Sequence, residues 1–249
     1  MESQVEIELS PKYDSETLHL IETNRGRYHV AKRILDISIA LCLLVFFLPL
    51  MVVIALAIKI YSPGTIIFAQ ERVGLKRQSR GKRSYWKRGT FPCFKFRTMH
   101  QNADSSIHQA YIKALINNDH DQIQVLQGDT SGIHKLVHDS RITPPGRFLR
   151  KFSLDELPQL WNVVRGDMSL VGPRPAIPYE VDMYKPWHMQ RLEVLPGITG
   201  LQQVTSRNTA DFDEQVRLDI DYINRQSLWL DIKIILRTPF VVISTRGAG

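Results

Sequence analysis

The pattern of apolar and polar positions is dominated by one run of 22 residues, Ile37 to Ile58, that contains no charged side chain. At about 1.5 Å per residue a helix of that length is only just able to cross the roughly 30 Å of bilayer hydrocarbon. Pro49 lies just past its middle. It has no N–H for the carbonyl of Val45 and its ring clashes with that carbonyl, which predicts a bend. Lys32 and Arg33 precede the run, and Lys59 and a cluster from Arg72 to Arg88 follow it. Basic flanks favour the cytoplasmic side. With both ends on one side, the pattern predicts a re-entrant helical hairpin bent at Leu48 and Pro49, each arm reaching roughly half the bilayer. A straight span is the competing reading. A cleavable secretory signal fits poorly, because the run is long, starts far from the N-terminus and is followed by basic residues.

Elsewhere the periodicity is weaker. The first residues carry Glu2, Glu6, Glu8, Asp14 and Glu16 against Lys12, which reads as a poorly ordered acidic tail over 1–29. Thr65 to Phe68 and the alternating stretch Phe91 to Thr98 predict strands, with a basic loop between them. Residues 104–118 predict an amphipathic helix with Asp104 as N-cap and Ile112, Leu115 and Ile116 on one face, followed by a polar stretch to His138. From Ile142 onward Pro, Gly and Arg punctuate short apolar pieces. A last apolar helix, Leu228 to Ile243, carries Trp229, Lys233, Arg237 and Pro239, a mixture that suits an interfacial helix as well as a core one. The predicted fold class is α/β and helix-rich. It has a small sheet and interfacial amphipathic helices around the hairpin at 30–62, with residues 63–249 as one water-facing domain.

Charge sharpens this picture. The formal net charge is +7, yet residues 71–88 hold eight basic residues against Glu71, so the remainder of the chain is neutral overall. With Tyr85 and Trp86 among them, these charges suit anionic headgroups, at about 1 kcal/mol per basic residue near the surface. A solvated loop is the plain alternative and a nucleic-acid patch a weaker third. Cys42 and Cys93 offer no disulfide framework, which agrees with a cytoplasmic face. Five of the eight histidines fall between His100 and His138, without a metal-ligand spacing.

The chemistry-bearing residues lie further on. In Arg147 to Trp161, the adjacent carboxylates Asp155 and Glu156 follow Arg150 and Lys151. Ser153 and Glu156 have capping-box spacing, so a helix N-terminus is the plain reading of the acids. Their company favours another. Gly166 to Pro175 presents Arg174 between Pro173 and Pro175, whose fixed backbone lowers the entropy lost when the arginine grips an anion. Pro196 to Gly200 is a tight turn that allows backbone close to a ligand, and Ser206-Arg207-Asn208 adds another cation. Carboxylates, arginines and glycine turns near a membrane fit phosphoryl transfer, in which cations neutralise phosphate oxygens and a carboxylate holds a metal ion or attacks phosphorus.

Six segments together carry a resemblance: Lys32-Arg33-Ile34-Leu35-Asp36, Lys95 to Met99, Ser153 to Gln159, Gly166 to Pro175, Pro196 to Gly200, and Arg207-Asn208. In this order, over roughly residues 30–249, the chain resembles the bacterial sugar transferase family, the monotopic phosphoglycosyl transferases. The resemblance implies a membrane enzyme with its catalytic domain, residues 63–249, on the cytoplasmic face of the bacterial inner membrane. Such an enzyme moves a sugar 1-phosphate from a UDP-sugar to polyprenyl (undecaprenyl) phosphate, releases UMP, and initiates exopolysaccharide, capsule or O-antigen type assembly. By the same resemblance Asp155 is the nucleophile that forms an aspartyl phosphosugar, and Glu156 is its partner in placing Mg²⁺. Arg150 and Arg207 are implied on phosphate, and Arg174 with Pro173 and Pro175 near the nucleotide. Lys95 and Arg97 are further candidates.

Ser227 to Asp231, with Arg237-Thr238-Pro239, resembles the hexose 1-phosphate branch, which puts UDP-glucose or UDP-galactose first and N-acetylated sugars second. The implied partners are the UDP-sugar, the polyprenyl phosphate and the bilayer, without nucleic acid; a homodimer is plausible. Two features depart from the family pattern or lie outside it. Leu48 stands where relatives often have Ser before the bend proline, and residues 102–140 are long and weakly patterned. The short tail implies the small form of the family. Rival readings are a membrane-tethered basic interaction protein and a metal-dependent phosphodiesterase that uses water as acceptor.

Overall fold

The computed structural model describes residues 26–80, 83–100, 106–117, 119–127, 141–206 and 211–244 of the 249-residue chain. The acidic tail before Gly26, the Asp104 cap, His138 and Arg207 fall outside the described residues.

The apolar run lies inside a single helix, α1 (Gly26–Tyr61), which begins within the segment read as tail. The chain stays helical through Leu48 and Pro49, so the two expected arms are halves of one helix. Lys32, Asp36 and Ala40 are buried before the proline, and Ile54 and Ile58 after it. Each set follows the four-residue spacing of one helix face. Between them Leu43, Leu44 and Met51 still pack against the core, while one face of the helix is open: Val45 is 73% exposed, Phe46 74% and Val53 62%.

Polar clamps hold both ends of α1 to the rest of the chain. Asp231, fully buried, accepts from Tyr28 Oη at 2.9 Å, Lys32 Nζ at 3.1 Å and Tyr222 Oη at 2.7 Å. Asp36 accepts from Ser169 Oγ at 2.7 Å and the Leu170 N–H at 3.2 Å. Arg33 donates to the carbonyls of Val163 at 2.5 Å and Val164 at 2.9 Å, in the last turn of a helix. At the other end Arg97 donates to the carbonyls of Ser62 at 2.6 Å and Pro63 at 2.8 Å.

Next comes a hairpin of two 14-residue antiparallel strands, β1 (Ile67–Arg80) and β2 (Arg83–Phe96), in register from Ile67 opposite Phe96 to Arg80 opposite Arg83. The basic segment read as a loop is therefore a ladder, and the strand expected at Thr65 to Phe68 is only its beginning. Phe91 and Cys93 on β2 are buried at alternate positions, as a half-buried strand requires, whereas Arg72 to Leu75 on β1 are buried without a break. The cations on either side of Val73 and Leu75, Arg72 before and Lys76 and Arg77 after, hide this strand in the sequence. Lys76 even faces Lys87 across the ladder, a like-charge pairing that weakens the outer hairpin.

Helices α2 (Ser106–Ile116) and α3 (His120–Gln127) follow. The first matches the amphipathic expectation; the second lies in the stretch read as polar. Leu115, Ile116 and Ile123 from this pair form a satellite core with Phe212 and Val216. The short α4 (Pro144–Lys151) opens with Thr143, whose hydroxyl accepts the Gly146 N–H at 3.1 Å, and with proline in its first turn.

After α5 (Gln159–Arg165), the segment read as a loop at 166–175 and the expected tight turn at 196–200 contain β3 (Ser169–Val171) and β4 (Gly197–Thr199), which pair in parallel. Three-residue strands carry too few positions for a period to register. Their closeness demands glycine, since a Cβ on Gly172 would lie 2.5 Å from the Leu195 carbonyl oxygen. Between them lie α6 (Pro178–Val181) and a 3₁₀ helix, Pro186–Leu192. The chain ends in α7 (Leu201–Thr205), α8 (Phe212–Arg225) and α9 (Leu228–Ile243), the last with the expected limits. The main core joins Ala40 of α1, Phe91 of β2, Leu160 and Val163 of α5, Val171 of β3 and Ile234 of α9.

Candidate active site

The two carboxylates sit at a break between helices. After α4 the backbone turns at Ser153, the one non-glycine residue with positive φ among the described residues, at 54°. A left-handed residue with a Cβ costs about 1–2 kcal/mol. It tips the chain into a single 3₁₀ turn, Leu154–Glu156, before α5 begins. Ser153 makes no side-chain cap to this turn, so the capping box suggested by its spacing to Glu156 is not formed. At three residues per turn, neighbouring side chains point about 120° apart. Asp155 turns inward and is 8% exposed, whereas the Glu156 side chain is 29% exposed and reaches a cleft.

Lys95 of β2 donates to Glu156 Oε1 at 2.7 Å. That contact depends on how α5 docks on β2, and Asn162 sets the docking. Fully buried, its Oδ1 accepts the Phe94 N–H at 3.0 Å while its Nδ2 donates to the Pro92 carbonyl at 2.7 Å. One carboxamide thus satisfies two backbone groups flanking Cys93, next to Lys95.

The local fields push the two acids apart. Burial raises the Asp155 carboxyl above the usual carboxylate range, with Glu156 adding to the rise and Lys95 and Arg150 partly offsetting it. Burial acts the same way on Glu156, but there the Lys95 ammonium, Arg174 and Arg72 outweigh it and hold the group below its ordinary value. Adjacent carboxyls with opposed shifts are a hallmark of division of labour in acid–base or nucleophilic sites.

The cleft encloses about 370 Å³ of space open to solvent and is lined among others by Arg72, Lys95, Glu156, Gln159, Arg174 and Gln203. Arg174 is exposed between buried Pro173 and Pro175. The loop that carries it is tied to β1: the Val73 N–H donates to the Ala176 carbonyl at 2.9 Å and Arg72 Nη1 to the Pro175 carbonyl at 2.7 Å. Asp155, 8% exposed, adjoins Glu156 next to the cleft. Arg150 acts on Asp155 through its field, and its Nε donates to Thr98 Oγ1 at 2.9 Å. Arg97 is engaged at the end of α1, away from the cleft.

The structure therefore brings together Lys95, Asp155, Glu156, Arg174 and Pro175, while Pro173, buried next to Arg174 in the chain, is not among the lining residues. It adds Arg72, Gln159 and Gln203, which sequence reasoning passed over. Arg72 was hidden as one charge among eight, although its place beside Val73 on the inward part of β1 distinguishes it. Among the described residues no group of three or more His, Cys, Asp and Glu side chains converges as a metal cage.

A model of the family described as bacterial sugar transferase matches residues 27–245. Similar proteins include the undecaprenyl-phosphate galactose phosphotransferase of Salmonella typhimurium, 40% identical over 217 residues that make up 87% of this chain and 41% of that one. The galactosyl transferase CpsE of Streptococcus agalactiae is 41% identical over 220 residues, 88% of this chain and 43% of its own. The exopolysaccharide production protein ExoY of Rhizobium meliloti is 35% identical over 219 residues, 88% of each. The chain thus spans about two fifths of the first two relatives and most of the third.

Proposed function

The chain belongs to the bacterial sugar transferase family, and we propose from that premise that it transfers a sugar 1-phosphate from a UDP-sugar to polyprenyl phosphate. The carrying observation is the Asp155–Glu156 pair on its 3₁₀ turn, with Lys95 at 2.7 Å from Glu156 and the cations of Arg72 and Arg174 across the cleft.

In the first step an Asp155 carboxylate oxygen attacks the sugar-bearing phosphorus. The bond from that phosphorus to the bridging oxygen breaks, and UMP departs with the oxygen and its electron pair. In the second, an oxygen of polyprenyl phosphate attacks the same phosphorus, the Asp155 O–P bond breaks, and the carboxylate returns with the lipid-linked diphosphate sugar as product. Each step exchanges one P–O bond for another and needs no redox partner. Burial strips water from Asp155, so that once ionised it is the better nucleophile of the pair. Glu156, held ionised by Lys95, keeps the ammonium aimed at the reacting phosphoryl group. Arg174, on its rigid turn, gives charge to the leaving UMP.

Mg²⁺ fits this donor set, because it is commonly held by one or two carboxylates together with substrate phosphates. Asp155 and Glu156 would hold it, and it would neutralise charge on the phosphoryl oxygens. Hexose donors, UDP-galactose or UDP-glucose, come first, and the names of the galactose-directed relatives support the former.

We place the catalytic domain on the cytoplasmic face with α1 re-entrant. Residues 33 and 62 are both clamped to the same water-facing domain, while Val45, Phe46, Leu48, Val52 and Val53 between them stay exposed. A spanning helix carries its ends to opposite sides of the hydrocarbon. On α9, Trp229 and Leu236, each 65% exposed, and Phe240, 75% exposed, would rest in the headgroup region.

The test is intact-protein mass after incubation with UDP-glucose, UDP-galactose or UDP-N-acetylgalactosamine and Mg²⁺, without lipid acceptor, beside Asp155→Asn. A sugar phosphate adduct on the wild type alone supports the covalent route and identifies an accepted donor. UMP release that needs polyprenyl phosphate, with no adduct from any donor, would replace it by direct transfer. No UMP release under either condition sinks the transferase reading.

A further inference from the structure

Among the described residues three buried side-chain polar atoms have no hydrogen-bond partner: Arg72 Nε, Gln203 Oε1 and Arg191 Nε. Two of these three, from Arg72 and Gln203, belong to residues that line the cleft beside Glu156. Buried polar atoms are nearly always paired, and those left open in a folded protein call for a reason. Here they come from β1 and from α7, far apart in the chain, and meet at one cleft.

We propose that Arg72 is a ligand-contacting residue, its Nε–H donating to a diphosphate oxygen of the nucleotide-sugar in a subsite shared with Arg174 and Gln203. The inference rests on the donor proposed above and deepens it. Arg72 is 7% exposed, and both terminal nitrogens of its guanidinium are already anchored: Nη1 donates to the Pro175 carbonyl and Nη2 to Gln70 Oε1, both at 2.7 Å. Those two bonds fix the guanidinium plane and hence the direction of Nε–H, so a ligand meets a preorganised donor rather than a mobile side chain.

Charge points the same way. Arg72, Arg174 and Lys95 face Glu156 alone along the cleft wall, a surplus of two positive charges. Arg72 and Arg174 lie close enough for each to repel the other, as the lowering of the Arg72 guanidinium below its ordinary value by burial and then by Arg174 indicates. An anion carrying two or more charges relieves that repulsion, and a diphosphate supplies them. Gln203 Oε1 asks for a donor, which the sugars on either side of a diphosphate carry as hydroxyls. In this arrangement Arg72 has two duties: it ties the Pro-Arg-Pro turn to β1 and it binds the group that the turn's arginine also binds.

The experiment is calorimetric titration of the full chain in detergent with inorganic pyrophosphate and, separately, with UDP, for the wild type, Arg72→Gln and Gln203→Glu. Losing one charge-assisted hydrogen bond is expected to weaken both ligands by about 10- to 100-fold in Arg72→Gln. Gln203→Glu keeps the unpartnered oxygen and exchanges the side-chain NH2 for a second, charged one, so it is expected to weaken pyrophosphate by about tenfold or more through like-charge repulsion, with its melting curve run alongside to show that it folds. Should Arg72→Gln fail to fold, Gln203→Glu decides alone. Pyrophosphate binding unchanged by Gln203→Glu and, where it folds, by Arg72→Gln overturns the subsite, and leaves the transferase reading standing if UDP binds. Arg72-dependent binding of pyrophosphate without binding of UDP keeps the subsite and overturns the nucleotide. Binding of neither ligand to the wild type overturns both.

Discussion

Replacing Asn162 tests how the catalytic pair is held. The buried carboxamide bridges α5 to β2, accepting the Phe94 N–H and donating to the Pro92 carbonyl. Asn162→Leu keeps the volume but orphans both backbone groups in a site with no exposure. At about 1–3 kcal/mol per buried unsatisfied group, the loss is about 2–6 kcal/mol, a large part of the stability of an ordinary domain. Asn162→Asp divides this loss by pH. One carboxyl oxygen still accepts from Phe94, but the other faces the Pro92 carbonyl at what was a 2.7 Å hydrogen bond, with Asp167 Oδ2 also 3.4 Å from the original nitrogen. Only the protonated acid restores the lost donor.

The folded-state pKa of the carboxyl introduced by Asn162→Asp must therefore lie above the ordinary Asp value of about 3.9. Its stabilising contribution is complete below that unfolded value and is lost as pH rises through the folded one. Chemical denaturation in detergent, run from about pH 4 to 8, checks the sign. Asn162→Leu is expected to be low throughout relative to the wild type, whereas Asn162→Asp approaches the wild type at the acid end and falls toward Asn162→Leu at the other. Identical curves for the two variants, or an Asn162→Leu loss within about 0.5 kcal/mol, would refute the bridging role. Because Lys95 follows Phe94 and Glu156 precedes α5, the folded fraction of either variant should also lose turnover.

Three more outcomes follow from the same geometry. Asp155 has a folded pKa raised by burial, so its contribution is present below the unfolded pKa and is lost as pH rises through the folded one. Asp155→Asn should accordingly melt higher than the wild type at neutral pH, with the gap closing in acid, while transfer is abolished; an unchanged or lower melting temperature at neutral pH counts against a strained carboxylate. Lys95→Met removes the cation that lowers both acids. The acid limb of the pH–rate profile should move upward with part of the activity regained at higher pH, and a uniform loss with an unmoved limb would contradict the electrostatic role. Asp231→Leu strands Lys32, Tyr28 and Tyr222 without their shared acceptor, and should cost about 3–5 kcal/mol in a denaturation series; a loss under about 1 kcal/mol would mean the clamp carries little.

How legible these features were in the sequence depended on whether the signal was local. The apolar run and the last helix from Leu228 announce themselves by composition, and the carboxylate pair by the arginines around it. The β1 side of the hairpin was hidden because Val73 and Leu75 stand among cations, Arg72 before them and Lys76 and Arg77 after, whereas Phe91 and Cys93 lay in a stretch already legible as a strand. The αL turn at Ser153 left no trace, since the same Ser-to-Glu spacing describes a capping box. The most instructive miss concerns Lys32 and Asp36, which are 8% and 2% exposed. Read as charges flanking a membrane run, Lys32 and its neighbour Arg33 argued for topology through the headgroup preference of basic residues. In the fold these residues are spent on interior contacts, Lys32 on Asp231 and Arg33 on the end of α5, so they contribute less to that preference than a count of charges implies. The case for a re-entrant α1 is stronger on the clamps themselves. Carrying residue 33 and residue 62 to opposite faces would require releasing either Arg33 from Val163 and Val164, or Arg97 from Ser62 and Pro63, and each release strips a guanidinium of two carbonyl partners.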